Sequence, residues 1–239
     1  MTGPIRIVHL YAREMNIYGD HGNVLALAQR LRWRDHEVEV VEVNRGDALP
    51  DRVDLLVGGG GQDSGQDLVE SDLLSRGADL RAMADDGVPM LVVCGLYQLF
   101  GHTFRTGTGR VLRGVGVLDV ETTAGPDRLI GNVIAHSGAF GDLIGYENHS
   151  GRTTLGSSAQ PLARVARGMG NNGTDRTEGA RSRNVVGTYL HGALLPKNPA
   201  LADHLIGLAV ERRYGPVHLR PLDEGVTEEA RRVAAGRPR

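Results

Sequence analysis

The chain has 239 residues, a formal net charge of −2 and 23% charged residues. This charge balance gives no electrostatic reason to expect nucleic acid or an anionic membrane as the main partner. No apolar run approaches the roughly 20 residues that a transmembrane helix needs, and no signal peptide precedes Ile5. The single cysteine, Cys94, excludes an intramolecular disulfide and cysteine-cluster metal sites. We therefore expect a cytoplasmic protein that binds no metal ion.

The N-terminal part of the chain alternates short apolar strands with helices. Strands are predicted at Ile5–Tyr11, Glu37–Val43, Asp54–Val57 and Met90–Val93, and helices at Val24–Trp33 and Leu73–Ala84. The alternation of Glu and Val in EVEVVEV gives the second strand one polar face, which is typical of a position near a sheet edge. Strands that alternate with helices imply βαβ units. The predicted fold is therefore α/β, with a parallel, doubly wound sheet.

The next segment differs, because Gly, Asp and Ser turns separate its strands with little helix between them. Its strands are predicted at Val111–Val120, Leu129–Ala135 and Leu162–Ala166. They indicate an antiparallel layer added to the central sheet. Val185–Leu190 returns to the buried-strand pattern, and Asn198 with Pro199 is a typical start for a helix that ends near Tyr214. The charged tail that follows is expected to form a short surface helix at Glu228–Ala235 or to be disordered.

Cys94 lies between a predicted buried strand, Met90–Val93, and a predicted helix that follows Gly95. This strand–turn–helix order lifts a nucleophile out of a parallel sheet and places it at the first turn of a helix. There the unpaired N–H groups and the helix dipole favour a thiolate. A lone cysteine is often a small buried apolar residue instead. The position of Cys94 at a strand end, immediately before glycine, favours a nucleophile.

His191 directly follows the predicted strand Val185–Leu190 and precedes Gly192. Ligands and reactive groups of open α/β sheets collect at the carboxyl ends of the strands. His191 and Cys94 are therefore expected to meet there as a pair for covalent acyl transfer, in which the histidine takes the thiol proton and returns it to the leaving group. A core or capping role is the alternative for His191.

Acyl transfer also requires donors for the developing oxyanion. The N–H of Gly95 is placed for one of them. The second is expected from the glycine loop Gly58–Gly61 at the end of a neighbouring strand, with Gly59 and Gly60 as the candidates, because missing side chains let the backbone approach a substrate. A glycine loop after a strand also suggests phosphate binding, but neither the Walker spacing nor the dinucleotide spacing is present.

Two segments resemble the nucleophile and histidine motifs of class I glutamine amidotransferases, namely VCGLYQL at 93–99 and GTYLHG at 187–192. The second is similar to the histidine segment of the cobyric acid synthase-like branch. Further segments resemble the glutaminase subunits of lipid II isoglutaminyl synthases. These segments are Gly58–Asp63, Glu147–Thr153, Gly170–Asn172 and Pro196–Pro199, and the resemblance covers about residues 5 to 210.

The resemblance implies a flavodoxin-like amidotransferase domain at residues 4–214, followed by the tail at 215–239. It implies that Cys94 and His191 hydrolyse glutamine without a cofactor in this chain. It assigns Arg128 as the residue that holds the substrate, and a guanidinium suits the α-carboxylate of glutamine because it can bind both oxygens. The ammonia would pass to a Mur ligase-like (MurT-like) partner that uses ATP and Mg to amidate the D-glutamate of the lipid II stem peptide.

One position departs from the family pattern. Many class I amidotransferases have a glutamate two residues after the histidine, where this chain has Ala193. The acid that orients His191 then comes from elsewhere in this chain or from the partner. His149 either lines the site or belongs to a turn that Asn148 and Ser150 stabilise.

Two other functions stay open at this point. One is a cobyrinic or cobyric acid-type amidotransferase subunit, and the other is a catalytically silent binding module of the same fold.

Overall fold

The computed structural model describes residues 3–237, which form two sheets and the helices around them. In chain order the strands are β1 (Ile5–Leu10), β2 (Val38–Val43), β3 (Leu55–Gly58), β4 (Met90–Val93), β5 (Thr103–Arg105), β6 (Val111–Arg113), β7 (Val120–Ser137), β8 (Gly141–Leu155), β9 (Ala163–Arg167), β10 (Thr177–Glu178), β11 (Ala180–Ser182) and β12 (Val185–Thr188). The helices are α1 (His21–Arg32), α2 (Asp63–Ser75), α3 (Gly77–Asp85), α4 (Gly95–Phe100), α5 (Leu194–Lys197), α6 (Pro199–Tyr214) and α7 (Gly225–Gly236).

The first sheet has the strand order β2-β1-β3-β4-β12-β11, and all its pairs are parallel except β11 with β12. From β1 the chain goes outward to β2 and then returns to the other side of β1 for β3. This reversal opens a crevice beyond the carboxyl ends of β1 and β3, where ligands bind in open α/β sheets. The order is flavodoxin-like, so the predicted fold class is confirmed.

The pattern of apolar residues explains the positions of the strands. β3, β4 and β12 are buried along their whole length, as strands covered on both faces must be. β2 is only partly buried and lies at the edge, as its alternation predicts. Helices α1 and α6 pack against each other and against β1, while α4 packs against β4 and β12. None of the helices between residues 3 and 237 is long and apolar enough to cross a membrane.

The second sheet supplies the predicted antiparallel layer. Its order is β10-β9-β7-β5-β6, and β8 pairs with β7 in a long antiparallel hairpin. Only β5 with β7 is a parallel pair among the pairs described in this sheet. The register of the hairpin shifts between Ala124 and Leu129, next to Pro126. Arg128 lies in this irregular stretch, outside the regular ladder.

Two predicted boundaries are wrong. The helix predicted at Leu73–Ala84 is two helices, α2 and α3, which meet at Arg76, where the guanidinium pairs with Asp72 at 2.7 Å. The strand predicted at Val111–Val120 is divided, because the backbone of Gly114 packs against that of Gly101. A Cβ on Gly114 would lie 2.1 Å from the Gly101 carbonyl oxygen.

Asn198 precedes α6 as predicted, but its side chain does not cap that helix. Its Oδ1 accepts the N–H of Ile144 at 2.8 Å, and its Nδ2 donates to the carbonyls of Ile144 at 2.9 Å and Leu194 at 2.7 Å. Asn198 therefore ties the start of α6 to the hairpin instead of accepting a hydrogen bond from the first N–H groups of the helix.

The segment after Tyr214 folds back on α1. Glu224 accepts hydrogen bonds from Arg30 at 2.5 and 3.2 Å, and the carbonyl of Arg220 accepts one from Arg34 at 2.8 Å. The sequence left two alternatives for residues 228–235, a short surface helix or disorder. The structure shows a helix, since these residues lie within α7.

Candidate active site

Four loops meet at the carboxyl edge of the first sheet. They follow β1, β3, β4 and β12, and they carry Asp20, the glycine loop, Cys94 and His191 respectively. Gly60 lies between the last two, because a Cβ on it would be 2.7 Å from His191 Cε1 and 3.1 Å from Cys94 Cβ. The structure thus brings together the cysteine and histidine that the sequence singles out.

Cys94 occupies a strained turn between β4 and α4. Its φ of +50° and ψ of −103° lie outside the regions that residues with side chains favour. Its N–H donates to the Thr188 carbonyl at 2.8 Å, which ties the turn to β12. The turn is tight on its other side as well, since a Cβ on Gly95 would lie 2.7 Å from Met15 Cε. This geometry is that of a nucleophile elbow.

His191 is held by its backbone and by its surroundings. Its N–H donates to the Tyr146 carbonyl of β8 at 2.8 Å, and the ring of Tyr18 lies 4.4 Å from its own ring. Burial opposes a charged imidazole here, but the negative charges of Cys94 and Asp20 outweigh it and raise the pKa of His191 to about 10. A protonated His191 beside a cysteine favours the thiolate that attacks an acyl carbon.

Asp20 is the acid that the sequence did not single out. It is fully buried, and its Oδ2 lies 3.6 Å from His191 Nδ1. That distance is longer than a hydrogen bond, as catalytic contacts often are before substrate binds. The same Oδ2 accepts the N–H of Gly60 at 2.7 Å. Asp20 therefore bridges the histidine and the glycine loop.

Ala193 stands at the position where the resemblance to class I amidotransferases led us to expect a glutamate, and its small size lets α1 approach. A Cβ on Gly22, in the first turn of α1, would lie 2.6 Å from the Cβ of Ala193. The N-terminus of α1 fills this space and brings Asp20 to His191. Of the two sources left open, the structure favours an acid from this chain. The sequence contained one indication of this role, because Asp20 lies in the polar loop after β1, at the same sheet edge as Cys94.

The oxyanion donors proposed from sequence are only partly available. Gly95 directly follows Cys94, which is the position of one of the two oxyanion donors of a nucleophile elbow. Gly59 packs against Met15 and Asp20, and the N–H of Gly60 is engaged by Asp20. Gly61 lines the cavity beside Cys94, and its nitrogen would lie 3.0 Å from a Cβ on Gly95. The roles of Gly59 and Gly60 stay predictions, and Gly61 joins them as a candidate.

A cavity of about 290 Å³ opens over Cys94. It has room for a small amino acid, and Arg128 and Tyr18 line it together with Cys94. Arg128 is exposed; its guanidinium donates to Asn148 Oδ1 at 2.9 Å, to the Asn148 carbonyl at 2.8 Å and to the Tyr18 hydroxyl at 3.3 Å. These bonds aim a cation into the cavity. The role of Arg128 as substrate clamp stays a prediction that this position supports.

A larger polar groove, of about 710 Å³, is not lined by Cys94. Its Asp119 is already bound by His102 and Ser158, so we do not assign it to the reaction. Within residues 3–237, no group of three or more His, Cys, Asp or Glu side chains is arranged to hold a metal ion.

Among solved structures, a glutamine amidotransferase shares this fold with a TM-score of 0.60, at 17% identity over 84% of this chain and 98% of that one. The fold is therefore that of the class I glutamine amidotransferases. The sequence narrows the class, because the CobB/CobQ-like glutamine amidotransferase domain matches residues 6–199, and the chain belongs to that family.

Several relatives match the chain over most of its length. The lipid II isoglutaminyl synthase (glutamine-hydrolyzing) subunit GatD of Staphylococcus aureus (strain N315) is 37% identical over 98% of this chain and 96% of that protein. GatD of Streptococcus pneumoniae (strain ATCC BAA-255 / R6) is 34% identical over 94% and 90%. The cobyric acid synthase of Pelotomaculum thermopropionicum is 31% identical over 95% of this chain, which spans 43% of that protein. The predicted family is confirmed.

Proposed function

We propose that this chain is the glutamine-hydrolysing subunit of a lipid II isoglutaminyl synthase. The observation that carries the proposal is the match to two GatD subunits over at least nine-tenths of both chains. The cobyric acid synthase alternative is less favoured, since the relative of that name is 31% identical to this chain, against 37% and 34% for the two GatD subunits. The intact cluster of Cys94, His191 and Asp20 argues against a silent binding module.

Glutamine would bind with its side-chain amide at Cys94 and its α-carboxylate at Arg128. The cavity supports this orientation, since both residues line it. Asn148 and Tyr18 engage Nε and Nη2 of the guanidinium, which leaves Nη1 to donate to a carboxylate. Arg128 then fixes the position of glutamine in the cavity, and the amide carbon comes to lie above the sulfur of Cys94.

The first half of the reaction forms a thioester. The Cys94 thiolate attacks the amide carbon, the carbonyl electron pair moves to oxygen, and backbone N–H groups at Gly95 and in the glycine loop stabilise the oxyanion. The carbon–nitrogen bond then breaks as the oxyanion collapses, and His191 gives its proton to the departing nitrogen, which leaves as ammonia.

The second half releases glutamate. His191, now neutral, takes a proton from water while the water oxygen attacks the thioester carbon. Collapse of the second oxyanion breaks the carbon–sulfur bond and restores the thiolate beside a protonated His191. Asp20 holds the ring in one orientation through both halves and stabilises its charged form.

The ammonia would be used by a Mur ligase-like (MurT-like) partner, which binds ATP and Mg and amidates the D-glutamate α-carboxylate of lipid II. The relatives are named as subunits, which supports a heteromeric enzyme and a glutamine substrate for this chain. A cytoplasmic location fits this proposal, because nucleotide and glutamine are supplied there.

Cys94→Ala tests the proposal. Loss of the covalent nucleophile is expected to lower ammonia release from glutamine by several orders of magnitude. Circular dichroism of the variant is expected to match the wild type, because an alanine fits where the thiol was. A wild-type chain that releases no ammonia from glutamine, alone or with its partner, would contradict the proposed function. A variant that keeps more than about a tenth of the activity would remove Cys94 from the mechanism.

A further inference from the structure

A buried histidine in the glutamine cavity has one ring nitrogen without a partner. His149 is 2% exposed, and its Nδ1 lies 2.8 Å from the Gly151 carbonyl oxygen. A carbonyl only accepts hydrogen bonds, so Nδ1 carries the proton and Nε2 presents a lone pair. Nε2 is buried and has no hydrogen-bond partner among the described residues.

The ring is electrically neutral at physiological pH. Burial disfavours the charged form, and the positive charges of His191, Arg152 and Arg128 act in the same direction. They outweigh the hydrogen bond to Gly151 and lower the pKa of His149 to about 3. His149 is therefore an acceptor at Nε2 and cannot switch to a donor there without breaking its bond to Gly151.

Its orientation is fixed as well. The imidazole stacks on the Tyr189 ring with 3.5 Å between centroids and 7° between planes. The Tyr189 hydroxyl bonds to Thr153 at 2.6 Å and accepts from Gln98 at 3.0 Å. A rigid aromatic platform thus holds the ring in place beneath the cavity.

The position of His149 matches one group of the substrate. His149 lines the cavity that also contains Cys94 and Arg128, and it follows Asn148, whose carbonyl and side-chain oxygens hold the Arg128 guanidinium. The α-ammonium of glutamine is bonded to the same carbon as its α-carboxylate. A carboxylate at Arg128 therefore places the ammonium, a strong donor, close to His149.

We propose that Nε2 of His149 accepts a hydrogen bond from the α-ammonium group of bound glutamine. The inference rests on the proposed function. It makes His149 a substrate-positioning residue, and it gives the site a means to prefer a free α-amino acid over other primary amides. No donor among the described residues occupies Nε2, so this acceptor is available to the ammonium group of such a substrate.

The test measures binding to the Cys94→Ala protein, which cannot turn the ligand over. The probes are glutamine and glutaramate, which is glutamine without its α-amino group. His149→Asn can still donate to Gly151 but has no acceptor at Nε2. His149→Gln reaches the Nε2 position with an amide oxygen. His136→Asn is the matched control, because the His136 side chain is 69% exposed.

His149→Asn is expected to weaken glutamine binding at least about tenfold, the range for a hydrogen bond to a charged group, and to change glutaramate binding less than about twofold. His149→Gln is expected to restore most of the glutamine affinity. Equal losses of affinity for both probes would mean that His149 has a structural role and would overturn the inference. The same conclusion would follow if His149→Gln weakened glutamine binding while His149→Asn left it unchanged. Failure of the Cys94→Ala protein to bind either probe would instead contradict the proposed function.

A second measurement does not depend on the folding of any His149 variant. The ¹⁵N chemical shift of His149 Nε2 in the Cys94→Ala protein is expected to move on addition of glutamine, in the direction of an accepted hydrogen bond, and not with glutaramate. An equal response to both probes, or to neither, would show that Nε2 does not accept from the α-ammonium group and would overturn the inference.

Discussion

At the scale of single residues, we expect Asp20 to determine how well His191 transfers protons. Without a negative partner the imidazole samples the wrong tautomer and orientation, and in a related triad the Asp to Asn change lowers kcat by about 10⁴. We expect Asp20→Asn to lower kcat for glutamine hydrolysis by roughly 10² to 10⁴ while KM changes little. Asp35→Asn, at an exposed ion pair, is the control and is expected to leave kcat unchanged.

The pH dependence separates positioning from a structural effect of Asp20. The Asp20 carboxylate is one of the groups that raise the pKa of His191 to about 10. Its removal should therefore move the alkaline limb of the kcat/KM profile to lower pH. Wild-type kcat together with an unmoved alkaline limb would exclude Asp20 from the mechanism.

A second buried acid, Glu178, makes stability depend on pH. It is fully buried and accepts from the Thr188 hydroxyl at 2.5 Å and the Tyr189 N–H at 3.0 Å, while burial and the charge of Glu147 raise its pKa from 4.5 to about 7. Between those values the folded chain keeps a proton that the unfolded chain has lost. This group therefore makes the protein less stable as pH rises from 4.5 to 7, by about 3 kcal/mol in all.

Glu178→Gln removes this titration and keeps an acceptor for Thr188 and Tyr189. The stability of the variant relative to wild type should rise between pH 4.5 and 8. Chemical denaturation at both pH values measures the change, and exposed Glu121→Gln is the control. Burial lowers the pKa values of His149 and His9 to about 3 and 4, so these groups make the protein more stable as pH rises. Both proteins contain them, and their contribution cancels when the variant is compared with the wild type. A pH-independent difference would show that Glu178 does not titrate in this range.

The candidate site residues that the sequence singled out were those with local signals. Cys94 and His191 each follow a buried apolar strand, and the glycine loop follows a third. No local pattern distinguishes Asp20 from the other acidic residues of the chain. Its proximity to His191 depends on the packing of Gly22 against Ala193, which are far apart in the sequence. Gly60 shows the same limit, since its sequence position predicts an oxyanion donor but the structure directs its N–H to Asp20.

At the scale of elements, β12 and α4 place His191 and Cys94 by direct contact. A Cβ on Gly187 would lie 2.2 Å from Cδ2 of the buried Tyr97 ring. Gly187→Ala should therefore overpack the contact and cost about 2 kcal/mol, which lowers Tm by about 4–8 °C.

The control for this contact is Gly207→Ala in α6. A Cβ there meets only Leu219, at an ordinary 3.6 Å. Alanine is a better helix former, so Tm should stay level or rise slightly. Thermal melts of both variants check the pair, and equal Tm values for Gly187→Ala and wild type would show that β12 and α4 can separate freely.

Element boundaries show where local patterns stop being informative. The central strands were predicted to within a residue or two, since burial on both faces requires unbroken apolar runs. The division of α2 from α3 at Arg76 depends on a guanidinium that also donates to the Asp47 carbonyl at 2.6 Å. Such a contact between distant segments has no periodic signature in the sequence.

At the scale of the whole molecule, one sheet edge gathers loops from both halves of the chain. The reversal of strand order beside β1 brings the Asp20 loop next to the glycine loop, and β12 adds His191 from far along the sequence. The hairpin of β7 and β8 then closes the cavity with Arg128 and His149. Neither half of the chain contains the complete site.

The segment after Tyr214 contacts buried groups of the rest of the chain mainly through residues 215–224, and less through α7. Arg30 and Arg34 are buried, and they reach Glu224 and the Arg220 carbonyl, while Leu219 packs against the core. α7 contributes no fully buried residue. A chain that ends after Tyr214 therefore loses partners of two buried cations, at a cost of about 3 kcal/mol. A chain that ends after Gly225 keeps them.

Denaturant titrations of the two truncated proteins and the full chain measure this difference. We expect the chain that ends after Gly225 to be close to the full chain in stability and the one that ends after Tyr214 to be clearly weaker. Glu224→Gln in the full chain isolates the charge of one partner and should lose only part of that stability. Equal stability of the two truncated proteins would show that Arg30 and Arg34 are satisfied by Asp203 alone, which they contact at 2.7–2.8 Å.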